Sequence, residues 1–205
     1  MKLLTIFKKL YSEFGPQKWW PVNSKNPQFE VIIGAVLTQN TSWKNVEKAL
    51  TNLEKEKLIS INKIKKTRKD KIAKLIKPSG YYNQKAERLK LIAEFFSKNK
   101  SPTREELLTV KGIGPETADS ILLYAFNKPI FVVDAYTKRI FSRLGFCDGD
   151  CSYDELQELF HKNLPKKAKL FNEYHALLVE LGKNYCTKKA NCKDCLLNKI
   201  CKKCF

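Results

Sequence analysis

Val110–Asp134 reads VKGIGPETADSILLYAFNKPIFVVD. Lys111-Gly112-Ile113-Gly114 puts two glycines one residue apart, which permits a tight turn with close backbone approach to a ligand. Pro115 stands where a helix would begin, a position at which its missing N–H costs nothing. Ala118, Ile121, Leu122, Ala125 and Phe126 follow at helical spacing, so one face of that helix is predicted to be buried. Asn127-Lys128-Pro129 ends it, and the apolar run Ile130–Val133 then delivers a carboxylate, Asp134. Amides that point outward at a helix N-terminus form an anion site, and here an acid emerges from apolar surroundings close by in sequence. Taken separately, the two features also fit a helix-connecting turn and a helix cap.

Composition narrows the class. A chain of 205 residues with a net charge of +18 favours a polyanionic partner, and nucleic acid before others. Lysine occurs on nearly every segment, so charge alone does not locate the site. The longest apolar run, Val31–Leu37, contains Gly34 and soon meets Thr38-Gln39-Asn40, so no membrane span is expected. Met1-Lys2 opens an amphipathic segment without a signal-peptide cleavage pattern, which reads as intracellular. Of seven cysteines, five lie in the last twenty residues, a clustering that argues for a metal or iron–sulfur site over disulfides.

The rest of the chain reads as helices. Leu3, Leu4, Phe7, Leu10 and Tyr11 stripe a first helix that Gly15-Pro16 stops. Trp19-Trp20-Pro21 follows in a loop. Phe29, Ile32, Ile33, Val36 and Leu37 mark a buried helix over 28–38, after which Thr41 or Ser42 is predicted to cap a helix over 42–54. Residues 60–76 are a lysine-rich amphipathic stretch ended by Pro78-Ser79-Gly80, and helices are predicted over 84–98, 135–144, 153–163 and 167–182. Asp148-Gly149-Asp150 is turn chemistry. No strand, repeat or low-complexity segment is evident, and the fold class is all-α.

The Gly-x-Gly hairpin followed by an Asp, with LTQNT near 37, GYYNQKAERL at 80–89 and the cysteine tail, resembles the endonuclease III superfamily of helix-hairpin-helix DNA glycosylases. This resemblance covers most of the chain. It implies a six-helix domain over about 22–130 and a second helical domain from 1–21 plus 131–205, flanking a DNA-binding cleft. It further implies a monomer acting on double-stranded DNA with a damaged base, in a prokaryotic cytoplasm, associated with the nucleoid through DNA.

By the same resemblance Asp134 is the essential catalytic carboxylate, 18 residues after Glu116. Superfamily members that also nick the strand carry a lysine at the position of Glu116. A carboxylate cannot form an imine, so water must be the nucleophile and the enzyme is predicted to lack AP lyase activity. Lys111 lies one turn earlier and is the alternative amine. Lys111, Gly112, Ile113 and Gly114 form the implied phosphate hook. Gln39 matches the residue that fills the gap left by a flipped nucleotide, and Tyr81 the wedge beside it.

Trp19-Trp20-Pro21, together with Gln39-Asn40-Thr41-Ser42-Trp43 and the hairpin glutamate, looks like the 3-methyladenine glycosylases of this superfamily. It implies a base pocket of Trp19, Trp20, Pro21, Trp43 and Lys183, with Trp20 and Trp43 sandwiching a cationic alkylated purine by stacking and cation–π attraction. His175 reads as a packed, hydrogen-bonded residue and His161 as a surface one. The tail, Cys186-x5-Cys192-x2-Cys195-x5-Cys201-x2-Cys204, is one residue short of the family's [4Fe–4S] spacing in its first interval and has one cysteine extra. Zinc on Cys192, Cys195, Cys201 and Cys204 is the rival. Cys147 and Cys151 are expected to be free thiols. The functional alternatives are a mismatch thymine or uracil glycosylase of the same fold, and a non-catalytic DNA-binding protein.

Overall fold

The computed structural model describes residues 2–147 and 151–202. The Asp148-Gly149-Asp150 turn and Cys204 lie outside the described residues. As expected the architecture is all-helical, and no strand occurs among the described residues. Two compact units are distinguished, Trp20–Phe126 and Met1–Trp19 with Asn127–Phe205.

The Trp20–Phe126 unit is built around α2 (Pro27–Leu37), whose N-cap Asn26 accepts a hydrogen bond from the Phe29 amide. Every residue from Phe29 to Leu37 is buried, the signature of a helix at the centre of a core. That stretch includes Glu30, whose carboxylate accepts from the amides of Asn23 (3.0 Å) and Ser24 (2.7 Å) and so fixes the loop leading from Trp20. In α3 (Trp43–Lys55), Val46, Ala49, Leu50 and Leu53 face inward. Neither predicted cap forms there: Ser42 makes no side-chain cap bond, and the Thr41 hydroxyl donates to the Ser79 carbonyl. A long-range bond between loops has displaced the local one.

The lysine-rich stretch is two helices, α4 (Ile61–Lys66) and α5 (Lys69–Leu75), because Thr67 and Arg68 are extended. Lys90 donates to the carbonyls of Lys65 (2.6 Å) and Thr67 (2.7 Å), capping the orphan acceptors at the end of α4. Lys90 belongs to α6 (Tyr82–Lys98), which packs on both helices. A capping box of Thr103 and Glu106 opens α7 (Arg104–Leu108). After the glycine turn, α8 (Pro115–Ser120) widens into a π-helical turn over Ile121–Ala125. Ala118, Ile121 and Leu122 are buried as expected, but the wider turn carries Ala125 and Phe126 to half-buried positions.

The other unit holds α1 (Leu3–Phe14), α9 (Ala135–Leu144), α10 (Tyr153–Asn163) and α11 (Ala168–Asn184). Phe171, Tyr174, Leu177, Leu178 and Leu181 of α11 form its core, and the Tyr174 hydroxyl donates to the Leu3 carbonyl at 2.9 Å. This helix runs past Gly182, so Lys183 lies in its last turn. Cys147 and Cys151 form a disulfide, correcting the free-thiol expectation; their Cα atoms are 6.0 Å apart, within the ordinary span of such a bond. No described helix is long and apolar enough to cross a membrane.

Candidate active site and nucleic-acid interface

Asp134 ends the buried segment Phe131–Val133 and is the N-cap of α9. Its Oδ1 accepts from the Thr137 amide (2.7 Å) and the Thr137 hydroxyl (2.9 Å). Its Oδ2 stands 3.6 Å from Nε2 of His175, itself buried. Thr137 thus engages one oxygen of the carboxylate, and His175 faces the other. Burial pushes the Asp134 carboxyl up, but the His175 imidazole and the Thr137 donors outweigh it and hold the group below the usual carboxylate range. His175 is packed as predicted; its place beside Asp134 had no signal in the sequence. Trp19 meets His175 edge to face at 6.4 Å, and Lys183 Nζ lies 5.8 Å over the Trp19 ring.

In the Trp20–Phe126 unit the hairpin and the Gln39 loop are joined. Gln39 Nε2 donates to the Gly112 carbonyl (3.0 Å) and to Thr117 Oγ1 (2.9 Å), while Arg88 Nη1 donates to Gln39 Oε1. Gly112 has φ +85°, which favours glycine, and a Cβ there would lie 2.4 Å from Arg88 Nε, so any side chain would also push Arg88 aside. Ile113 is buried and its amide donates to the Val110 carbonyl at 3.0 Å. Lys111, Gly114 and Glu116 are exposed, with Lys111 Nζ 3.5 Å from Glu87.

Tyr81 is 70% exposed and left-handed at φ 45°, a conformation unusual for an aromatic residue. Beneath this turn Lys85 is buried, donating to Leu37 O (2.9 Å), Thr41 Oγ1 (2.8 Å) and Ser79 O (2.7 Å). It ties the Thr38–Thr41 loop to Ser79-Gly80-Tyr81. Burial, helped by the nearby Arg88 charge, pushes the Lys85 ammonium down to about 8.

The aromatic residues depart from expectation. Trp20 and Trp43 meet at 85° with centroids 5.0 Å apart, and Trp20 also contacts Tyr124 at 5.0 Å. A sandwich needs two parallel planes with a ring's thickness between them, so this edge-to-face pair is not a preformed base slot. Trp20 is held close against α2 at Gly34, where a Cβ would lie 2.9 Å from its Cζ2. Pro21 and Trp43 do share a cavity of about 530 Å³, which Glu47 and Glu54 also line.

Cys186, Cys192, Cys195 and Cys201 line a single cavity with Ile140, Leu144, Leu181 and Leu197. Arg143 Nη1 stands 3.3 Å from Cys186 Sγ. Burial pushes the Cys195 thiol up, and the other three cysteines add to the shift, a mark of their proximity. Among the described residues no three His, Cys, Asp or Glu side chains are grouped to hold one metal ion.

Two further positions were misread or missed. His161 is half-buried and accepts from the Phe131 amide at 3.0 Å, so it is no surface residue. Arg88, which donates to Gln39 and lies beside Gly112, sits in a helix with three lysines and nothing local to mark it.

Residues 33–166 match the family described as HhH-GPD superfamily base excision DNA repair protein. A Methanocaldococcus jannaschii protein provisionally named a DNA repair glycosylase is 48% identical, covering 96% of this chain and 94% of its own. Endonuclease III of Thermotoga maritima is 34% identical over 90% of this chain and 87% of its own. Among solved structures, the 3-methyladenine DNA glycosylase of H. pylori bound to 1,N6-ethenoadenine superposes with a TM-score of 0.79 at 35% identity, over 89% of this chain and 98% of that one.

Proposed function

From the premise that the chain belongs to the HhH-GPD superfamily of base excision DNA repair proteins, we propose that it is a monofunctional DNA N-glycosylase that removes alkylated purines. The observation that carries this reading is the state of Asp134: a largely buried carboxylate held below the usual carboxylate range, with Oδ1 engaged by Thr137 and Oδ2 facing His175. As the glycosidic bond breaks, the base leaves with the bonding electrons and positive charge develops on the deoxyribose. Asp134 stabilises that charge and takes a proton from the water that adds to C1′. Glu116 on the exposed hairpin offers no amine for a covalent route.

Alkylated purines fit the aromatic inventory of the pocket side. Trp20, Trp43 and Tyr124 form a cluster of electron-rich rings, and the cavity shared by Pro21 and Trp43 is lined by three carboxylates, Glu30, Glu47 and Glu54, against one cation, Lys55, an environment that favours a cationic base. Lys183 Nζ already lies over the Trp19 ring, which favours Trp20 and Trp43 over Trp19 for recognition of a cationic base. The H. pylori relative, named for 3-methyladenine, points the same way. Gln39 and the exposed Tyr81 are the residues proposed to enter the duplex, with the Lys111–Gly114 turn gripping phosphate.

The four-cysteine cavity fits a [4Fe–4S] cluster better than a single zinc ion. Its four thiols, Cys201 among them, line a space with apolar walls. Cys186, Cys192, Cys195 and Cys201 would hold the cluster, and Arg143 would offset its negative charge. When bound, the cluster would cross-link the end of α11 to the tail. The test of the whole reading is incubation with methylated duplex DNA and chromatography of the released bases. Release of 3-methyladenine, with strand breaks only after hot alkali, supports it; tight binding with no released base overturns it.

A further inference from the structure

Phe131, Val132 and Val133 are buried in neither helix nor strand, so their backbone polar groups need partners from outside any regular ladder. One face of α10 supplies them. His161 Nε2 accepts from the Phe131 amide (3.0 Å), Gln157 Nε2 donates to the Phe131 carbonyl (2.7 Å), and the Tyr153 hydroxyl accepts from the Val133 amide (3.4 Å). Residues 153, 157 and 161 are spaced by four and share a helix face. The helix runs antiparallel to the segment and bonds it much as a neighbouring strand would.

We propose that Tyr153, Gln157 and His161 are positioning residues that set the place of Asp134 through the segment that carries it. The proposal rests on the catalytic reading of Asp134. Three features support it. The bonded residues end one position before Asp134, leaving little slack between clamp and carboxylate. The clamp is chemically directional: His161 must present an unprotonated Nε2, and Gln157 must present its NH2, so the face fits one backbone register only. The clamp is also anchored at both levels of packing. Phe131 stacks on Phe160 with centroids 3.6 Å apart, His161 stacks on Phe171, and Lys138 of α9 donates to the Cys151 carbonyl just ahead of α10. From Thr137, α9 holds Oδ1; from Phe131, α10 holds the backbone; Asp134 sits between the two.

The test compares His161→Leu, Gln157→Leu and Tyr153→Phe with His161→Gln, whose amide oxygen can replace Nε2 as acceptor. Two readouts are taken: single-turnover release of 3-methyladenine from methylated duplex, and hydrogen exchange of the 131 and 133 amides in the DNA-free protein. The leucine variants are expected to lose about tenfold or more in release rate, since sub-ångström misplacement of a reacting group is costly, with Kd for an abasic-analogue duplex changed less than about twofold. Tyr153→Phe, which deletes one oxygen and keeps the ring, should show the same split in milder form, and His161→Gln should recover most of the rate. Equal damage in His161→Gln and His161→Leu, or unchanged rates throughout, overturns the proposal. If the wild type releases no base, the functional reading fails and exchange decides alone. Faster exchange at 131 in His161→Leu but not in His161→Gln supports the clamp, and identical exchange overturns it.

Discussion

Nε2 of His175 stands 3.6 Å from Oδ2 of Asp134, the carboxylate oxygen that Thr137 leaves untouched. Thr137 therefore fixes the orientation of the carboxyl, and His175 influences its charge. Asp134→Asn keeps the cap acceptor but removes the charge, and should lower base release by about 10²-fold or more with DNA binding retained. Turnover within a few-fold of wild type would contradict the assignment.

The charge of Asp134 gives a pH prediction with a definite sign. Its pKa is lowered on folding, so its contribution to stability is present above the unfolded value of about 4 and is lost only as pH falls through the lower folded value. In His175→Leu one of the lowering influences is gone while burial remains, so the carboxyl rises. Relative to wild type, the variant should lose activity toward pH 5 and keep more of it at pH 8. Parallel pH profiles would show that His175 acts by packing alone.

Glu116 predicts the absence of a covalent intermediate. Borohydride added during turnover of methylated duplex should trap no protein–DNA adduct, and the Lys111→Ala variant should release base without strand scission just as wild type does. An adduct in wild type that disappears in Lys111→Ala would make Lys111 the nucleophile and the enzyme bifunctional.

The hairpin, the α2 stripe and the Asp at the end of an apolar run were legible because each depends on residues within one or two turns of each other. What the sequence concealed depends on distance. Lys85 looks like any other lysine of a basic helix, yet its ammonium reaches a carbonyl 48 positions away, and His161 reaches an amide 30 positions away. Local chemistry also lost where a distant partner was better. Thr41 was a reasonable cap for α3 until Ser79 offered its carbonyl. The expected sandwich of Trp20 and Trp43 around a base came from a resemblance, which carries no information on interplanar angle, and the two rings meet edge to face.

Lys85 is the buried cation on which the Gln39 and Tyr81 loops both depend. Lys85→Met retains the apolar stem but strands acceptors at Leu37, Thr41 and Ser79, at a cost of about 2–4 kcal/mol in unfolding experiments. Because its folded pKa of about 8 lies below the unfolded value, the unfolded chain holds more protons between the two. Wild type should therefore gain stability relative to Lys85→Met as pH rises from about 8 to about 10. A gap that narrows over that range would mean Lys85 is not a desolvated ammonium.

The aromatic cluster allows pocket shape to be separated from pocket chemistry. Trp43→Ala removes a π face and should weaken excision of cationic 3-methyladenine far more than that of uncharged hypoxanthine, since cation–π attraction is worth about 0.5–2 kcal/mol. Gly34→Ala removes no aromatic group. Its added Cβ would lie 2.9 Å from Trp20 Cζ2, so the indole must shift by some tenths of an ångström at the far end of its side chain. If Trp20 is part of the base site, release should fall while Tm changes little, and the loss should be similar for charged and neutral bases, because geometry and not charge has been altered. Loss of Tm with a normal rate per folded molecule would return Trp20 to the core.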